Sequence, residues 1–420
     1  MIGRLLVGLV FTVFTFSGCA TYETRVKQGR DLLRQGQFSE AAEALRPLAE
    51  KEGGDQLVYL LDYALAQQLA GDLEGSNRSL LQAERLAQIQ DYYSLSRISG
   101  SLLLSEEMVQ YKGEDYEKIL IHIFLATNFL LLNDLEAAQV ETRKINQKLH
   151  LYRTEAKRNY RDYPFAYYIS GLIWEKAGNF DSAYIDYRRA YELAPHFLFL
   201  REDIYRVAYL GRKREELTAW RKRYPGLEAR PQWRDPHYGE VVFLYQQGWG
   251  PRKRPHPEEY RLPQLRPIQS QTQRASIKFT PLQDLLGSAG SAGAVQTERI
   301  LDVNQVATEA LEEVYGLLLA KRLAGIGVKA VVADQVRQKN EALGMLAWIG
   351  MNLMDRADLR HWSTLPESLQ IARVFLPVGE YRVDIQGFNA LGLPIGEAKS
   401  EQIIRVEPRQ KQFVHWRSLK

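Results

Sequence analysis

The sequence predicts a mostly α-helical chain. An N-terminal helical solenoid is followed by a smaller α+β domain with an antiparallel, sandwich-like sheet and an inserted helical hairpin. Three observations carry this. Between about 22 and 225, apolar residues recur every three and four positions, interrupted only by Pro47, Pro164 and Pro195. One spacing of Gly, Ala and aromatic residues returns several times within that stretch. From 226 onward proline crowds in, and after 370 apolar and polar residues alternate.

Residues 1–18 read as an export signal. Arg4 is followed by an uncharged run from Leu5 to Phe16, then by small Ser17 and Gly18 before Cys19. The run is too short to cross about 30 Å of hydrocarbon as a helix, which takes about 20 residues. Phe16-Ser17-Gly18-Cys19 resembles the bacterial lipobox, although leucine is commonest where Phe16 stands. The resemblance implies cleavage before Cys19 and acyl chains, such as palmitate, on its sulfur and new amino group. Two or three chains anchor durably, since each buried methylene contributes about 0.8 kcal/mol. Ala20 stands where an inner-membrane retention signal would place Asp, so an outer-membrane, periplasm-facing address is expected.

Cys19 is the only cysteine of 420 residues, which excludes a disulfide framework and a multi-thiolate zinc site. The formal net charge of +4 falls only to +3 without residues 1–18, so no nucleic-acid partner is expected. The basic runs Arg212–Arg214, Arg221–Arg223 and Arg252–Arg254 read as solvated faces or loops.

Residues 19–225 form the repeat domain. In Tyr167–Pro195, Gly171, Trp174, Gly178, Phe180, Ala183, Tyr187, Ala190 and Pro195 fall at the spacings of the tetratricopeptide (TPR) pattern. Gly171 and Ala183 allow two helices to approach, Gly178 turns the chain, and Pro195 ends the second helix. The grid recurs at Gly29–Leu45, at Ala64–Ala83 and, after a helical insertion at 89–114, at Ala126–Ile145. A degenerate copy at 198–224 uses Tyr205, Gly211 and Trp220 as a cap.

Residues 226–297 read as a Pro-rich linker or arm with strands. "EVVFLYQQG" (240–248) and "ASIKFT" (275–280) are its strands, and "GSAGSAG" (287–293) is a loop. The C-terminal α+β domain, 298–420, opens with helix from an Asp302 cap, broken or kinked near Gly325 and Gly327. Its second arm contains "GMLAWIGMNLM" (344–354), read as buried against the sheet, or else facing membrane or partner. Four strands follow 370, with Tyr381, Val383, Ile385, Ile404, Val406 and Phe413 on one face. Two or three earlier strands complete the sandwich.

The seven histidines show no metal-ligand spacing, and no nucleophile motif occurs, so no catalytic residue, cofactor or metal is expected. His122, in an apolar helix, reads as a core histidine. Tyr116, Asn128, Glu141, Arg143, Tyr167 and Trp174 are candidates for a partner-binding groove, though interhelix salt bridging is the favoured reading of the charged ones. Asp358, Arg360, Trp362 and Arg373 read as a structural polar cluster locking a helix-to-strand crossover.

The lipobox, the repeats, "GEDYEKILIHIFLATNFLLLNDLEAAQVETRKIN", "EVVFLYQQGWGPRK", "AKRLAGIGVK" and "ADLRHWSTLP" occur in that order. Together they resemble a family of bacterial TPR-containing outer-membrane lipoproteins in which no functional residue is established beyond the lipidated cysteine. Genes of that family often neighbour one for a lipoprotein activator of penicillin-binding proteins. The resemblance implies a non-enzymatic scaffold, anchored in the membrane by lipid, whose groove holds a cell-envelope protein or peptide. An accessory lipoprotein of a secretion or polysaccharide-export apparatus is the alternative, and an envelope enzyme the third reading.

Overall fold

The computed structural model describes residues 21–94, 110–154, 163–282, 292–339, 345 and 356–420. Cys19 and its leader, the loop at 287–291 and all but Met345 of the apolar 344–354 stretch lie outside them.

Among the described residues ten helices come first, as five antiparallel pairs: α1 (Tyr22–Arg34) with α2 (Phe38–Glu50), α3 (Gln56–Leu69) with α4 (Leu73–Ser94), α5 (Asp115–Leu131) with α6 (Leu135–Thr154), α7 (Pro164–Lys176) with α8 (Phe180–Leu193), and α9 (Leu198–Leu210) with α10 (Arg214–Arg223). One turn joins the helices in every pair. A residue of positive φ stands at Gly36, Gly71, Asn133, Gly178 and Arg212. The next amide then reaches back five residues, from Gln37 to Leu32, Asp72 to Gln67, Asp134 to Phe129, Asn179 to Trp174 and Lys213 to Ala208, at 2.8–3.0 Å. This is the Schellman closure, which satisfies a carbonyl at the helix end. It marks five copies of one unit.

In the fifth copy the left-handed residue is Arg212, whereas the spacing pointed to Gly211. Gly211 is small for another reason: a Cβ there would stand 3.1 Å from that of Phe180. Gly171 has the same role between α7 and α8, where a Cβ would come within 2.5 Å of the Tyr187 ring. That ring is held, because Tyr187 Oη donates to Glu175 Oε2 at 2.7 Å.

First and second helices bury different amounts of surface. α3, α5 and α7 are buried on nearly every face, whereas α2 buries only Ala41, Leu45 and Ala49. A helix apolar all round needs cover on both sides. The second helices cover one side, and the C-terminal strands cover the other.

Those strands are β1 (Tyr238–Gln247), β2 (Arg252–Pro255), β3 (Pro263–Arg266), β4 (Arg274–Pro281), β5 (Ala292–Gln296), β6 (Glu298–Asp302), β7 (Ser368–Pro377), β8 (Gly379–Phe388), β9 (Pro394–Val406) and β10 (Lys411–Arg417). The first sheet has the order β10-β1-β7-β6, the second β5-β4-β8-β9, and β2 pairs with β3 as a ribbon. Val241, Phe243 and Tyr245 of β1 face Ile277, Phe279, Val383 and Ile385 of the second sheet. On the other face of β1, Val242 and Leu244 join the core of the helices.

Three sequence expectations change. The strand expected at 240–248 forms as β1, but as an inner strand buried on both faces rather than part of a surface arm, which is why its apolar run is continuous rather than alternating. The sheet is not purely antiparallel, since β10 runs parallel to β1. That places Phe413 against the helices, while Val414 and Trp416 enter the sandwich. The helix α11 (Val303–Lys339) also continues through Gly325 and Gly327. Glycine lowers helix propensity by about 1 kcal/mol but removes no hydrogen bond.

Gly171→Val should destabilise the protein by about 3 kcal/mol in urea unfolding, because the pinned Tyr187 ring leaves no room for the larger side chain.

Candidate functional site

The face expected to hold a partner is where the chain holds itself. Asp62 of α3 and Glu117 of α5 are fully buried carboxylates aimed at the segment 361–364. Asp62 accepts from Tyr22 Oη (2.5 Å), Ser363 Oγ (2.9 Å), and the Thr364 amide and hydroxyl (2.9 and 3.0 Å). Glu117 accepts from the Trp362 amide and Tyr111 Oη, both at 2.6 Å, and from the Glu114 amide at 3.0 Å. Burial, then the Glu114 charge, raises the Glu117 carboxyl to about 7; burial likewise raises Asp62.

Arg360 binds Asp358 through Nε and Nη2 at 2.8 and 2.7 Å, and reaches Asp55 across the interface at 2.7 Å. Trp362 packs its ring on Phe124 at 5.4 Å. Asp358, Arg360 and Trp362 therefore dock one end of the segment onto the first three repeats.

Arg373 acts further along, in a six-charge network. It pairs with Asp203 (2.6 Å), Glu175 (3.3 Å) and Glu240. Arg206 bonds Glu175 at 2.7 Å and Asp203 at 2.9 Å. Lys411 bonds Glu175 at 2.6 Å and Glu240 at 2.8 Å. Three carboxylates thus meet three cations, and Tyr168 and Tyr187 donate to Asp203 and Glu175. Lys411, Glu240 and Arg373 come from adjacent strands β10, β1 and β7; their partners come from α7 and α9. Burial pushes Glu175 and Glu240 up, but the Arg206, Lys411 and Arg373 charges outweigh it and hold both carboxyls below the usual range.

The other groove candidates divide. Asn128 is fully buried, donates to Ser76 (3.0 Å) and Asn77 (2.9 Å), and accepts from Gln68 (2.5 Å), which itself accepts from Gln246 of β1 at 2.8 Å. Tyr116 is buried against Glu117 at 3.4 Å. Tyr167 is buried and Trp174 half-buried in the helical core. Arg143 is exposed, away from Glu141.

Glu141 belongs to a separate cluster that spacing alone did not reveal. His122 Nδ1 donates to its Oε2 at 2.7 Å, and Lys144 Nζ bridges it to Glu84 at 3.0 Å on each side. The ligand atoms of Glu84, His122 and Glu141 lie within 4.8 Å of one another, beside a cavity of about 320 Å³. These residues could hold a divalent ion, but the Lys144 ammonium already bridges both carboxylates.

No helix among the described residues is long and apolar enough to cross a membrane. No protein-family model and no curated protein sequence matches the chain. Solved structures similar to it include that of MamA, 16% identical with a TM-score of 0.32 over 46% of this chain and 90% of that one. Another is a Podosopora anserina kinesin light chain with nearly identical TPR-like repeats, 13% identical with a TM-score of 0.33 over 48% of this chain and 91% of that one. The repeat assignment rests on the five shared turns rather than on these likenesses. The helical half is a TPR-like array of helix pairs, and a sheet-containing region follows it.

Arg373→Met should cost about 3–5 kcal/mol in urea unfolding, since it strands buried carboxylates. Glu175 and Glu240 titrate lower folded than unfolded, so their contribution is complete above the ordinary Glu range near pH 4.3 and drains away as pH falls through their depressed values. Glu175→Gln should flatten the acid limb of the stability curve.

Proposed function

We propose that the chain is a non-enzymatic lipoprotein of the bacterial outer membrane, facing the periplasm, and that its repeats serve as a scaffold for a cell-envelope protein. The recurrence of one helix-pair unit carries this reading, because stacked pairs build extended surfaces suited to protein partners. The lipobox resemblance at Cys19 supports the anchor, and the implied gene neighbourhood supports an envelope role related to cell-wall synthesis.

The docking surface differs from the groove first expected. Asp62, Glu117, Asn128 and Glu175 already spend their hydrogen bonds on the chain's own segments. The partner therefore meets the outer surface made by the second helices. Val140 and Leu151 of α6 and Ile185 of α8 are apolar there, and 39%, 43% and 61% exposed.

Two measurements test this. Cys19→Ser should abolish incorporation of labelled palmitate and release the protein from the membrane fraction. A photocrosslinking residue at Ile185 or Leu151 should capture one envelope protein in intact cells, and one at Leu391, on the β8–β9 turn, should not. Unchanged palmitate labelling after Cys19→Ser sinks the anchor; capture from Leu391 alone sinks the docking surface.

A further inference from the structure

Three arginines from three parts of the chain gather around one indole. Trp249 is buried and donates through Nε1 to the Leu419 carbonyl at 3.0 Å. The guanidinium carbons of Arg34, Arg252 and Arg417 stand 5.0, 5.7 and 5.5 Å from its ring centre. Arg30, one helical turn before Arg34 on α1, is also buried, and its charge repels that of Arg252.

Ion pairing does not match this charge. Arg30 bonds Glu23 at 2.6 Å, and Arg34 bonds Asp31 at 2.8 Å. Neither Arg252 nor Arg417 has an ion pair among the described residues, although they are only 5% and 4% exposed. Six guanidinium nitrogens lack any hydrogen-bond partner: Nε and Nη1 of Arg30, Nη1 and Nη2 of Arg252, Nε and Nη1 of Arg417. Buried groups of this kind are costly, and contact with an aromatic face satisfies none of their N–H donors.

The electrostatics agree. Burial, then the Arg30 charge, lowers Arg252 to about 10; burial, then Arg252, lowers Arg417 to about 9. Burial, then Arg252, also lowers the adjacent His361 to about 3, and its Nε2 has no partner. The sequence reading of Arg252–Arg254 as a solvated run holds for Arg254 alone; Arg252 and Lys253 are buried, Lys253 against Glu114.

We propose that this cluster binds a phosphate group, gripped by Arg252 and Arg417, completed by Arg30, with Arg34 at the solvent-exposed edge. The unpartnered donors outnumber what the two oxygens of a carboxylate could accept. A tetrahedral dianion supplies more oxygens and offsets the two guanidinium charges, of Arg252 and Arg417, that have no ion pair among the described residues. Guanidinium forks match that geometry. The phosphate comes from the free anion or from a lipid phosphomonoester headgroup of the phosphatidic acid type, which keeps the dianion and three terminal oxygens; α1 begins only three residues after Cys19.

The full chain in detergent, titrated calorimetrically with inorganic phosphate at constant ionic strength, should give a saturable isotherm. Arg252→Gln and Arg417→Gln should each weaken it at least tenfold. Arg34→Gln, a substitution at an exposed position that leaves folding intact, should weaken it at least threefold. Arg214→Gln, exposed on α10, should change it less than twofold. Dihexanoyl phosphatidic acid, a phosphomonoester, below its micelle concentration separates the sources. Tighter binding than phosphate, with the same variant pattern, assigns a lipid headgroup; equal or weaker binding assigns the free anion. The proposal is overturned if neither ligand gives a saturable isotherm, or if Arg34→Gln, Arg252→Gln and Arg417→Gln change binding no more than Arg214→Gln.

Discussion

The junction between Glu175, Asp203 and Arg206 on the helices and Glu240, Arg373 and Lys411 on the strands sets the arrangement of this molecule. Six buried charges tolerate few relative positions. Slipping β1 and β7 by one residue in their pairing would turn Glu240 and Arg373 into the sandwich and leave Glu175 and Asp203 stranded. Apolar contacts between Val242, Leu244 and the helices supply burial without that selectivity. The network therefore acts as a register device, while its net contribution to stability is smaller than its pairwise attractions suggest.

From that register follows the covering of the repeat face. The strands lie against α7 and α9, and the 361–364 segment is drawn along α3 and α5 by Asp62 and Glu117. An open solenoid would keep one polar face on its first helices. Here α3, α5 and α7 are buried on nearly every face, and Asp62, Glu117 and Glu175 on them are committed to the sheet or its connecting segment. The array behaves as the outer layer of a three-layer body, so among the described residues the surface left uncovered by the sheets is the one formed by the second helices.

Much of this was legible in the chain. Gly36, Gly71, Gly178 and Asn133 mark their turns because few residues enter the left-handed region easily. Gly171 marks a close approach through its lack of a side chain. The apolar run "KILIHIFLATNFLLL" also announces a helix covered on two sides, a signal that pointed against an open groove. Less was legible at the sites. Glu84 and His122 come from different repeats than their spacing connects. Arg252 sits in a basic triplet that has the composition of a surface loop.

The sequence by itself determined the repeat unit, its turns, the small residues between helices and the alternation of β8 and β9. All of these depend on the preferences of neighbouring residues in the chain. Only the tertiary structure decided that β10 runs parallel to β1, that the repeat face is internally occupied, and that Arg252 and Arg417 are buried together. These depend on pairs of residues more than a hundred positions apart, whose attraction or repulsion no local pattern records.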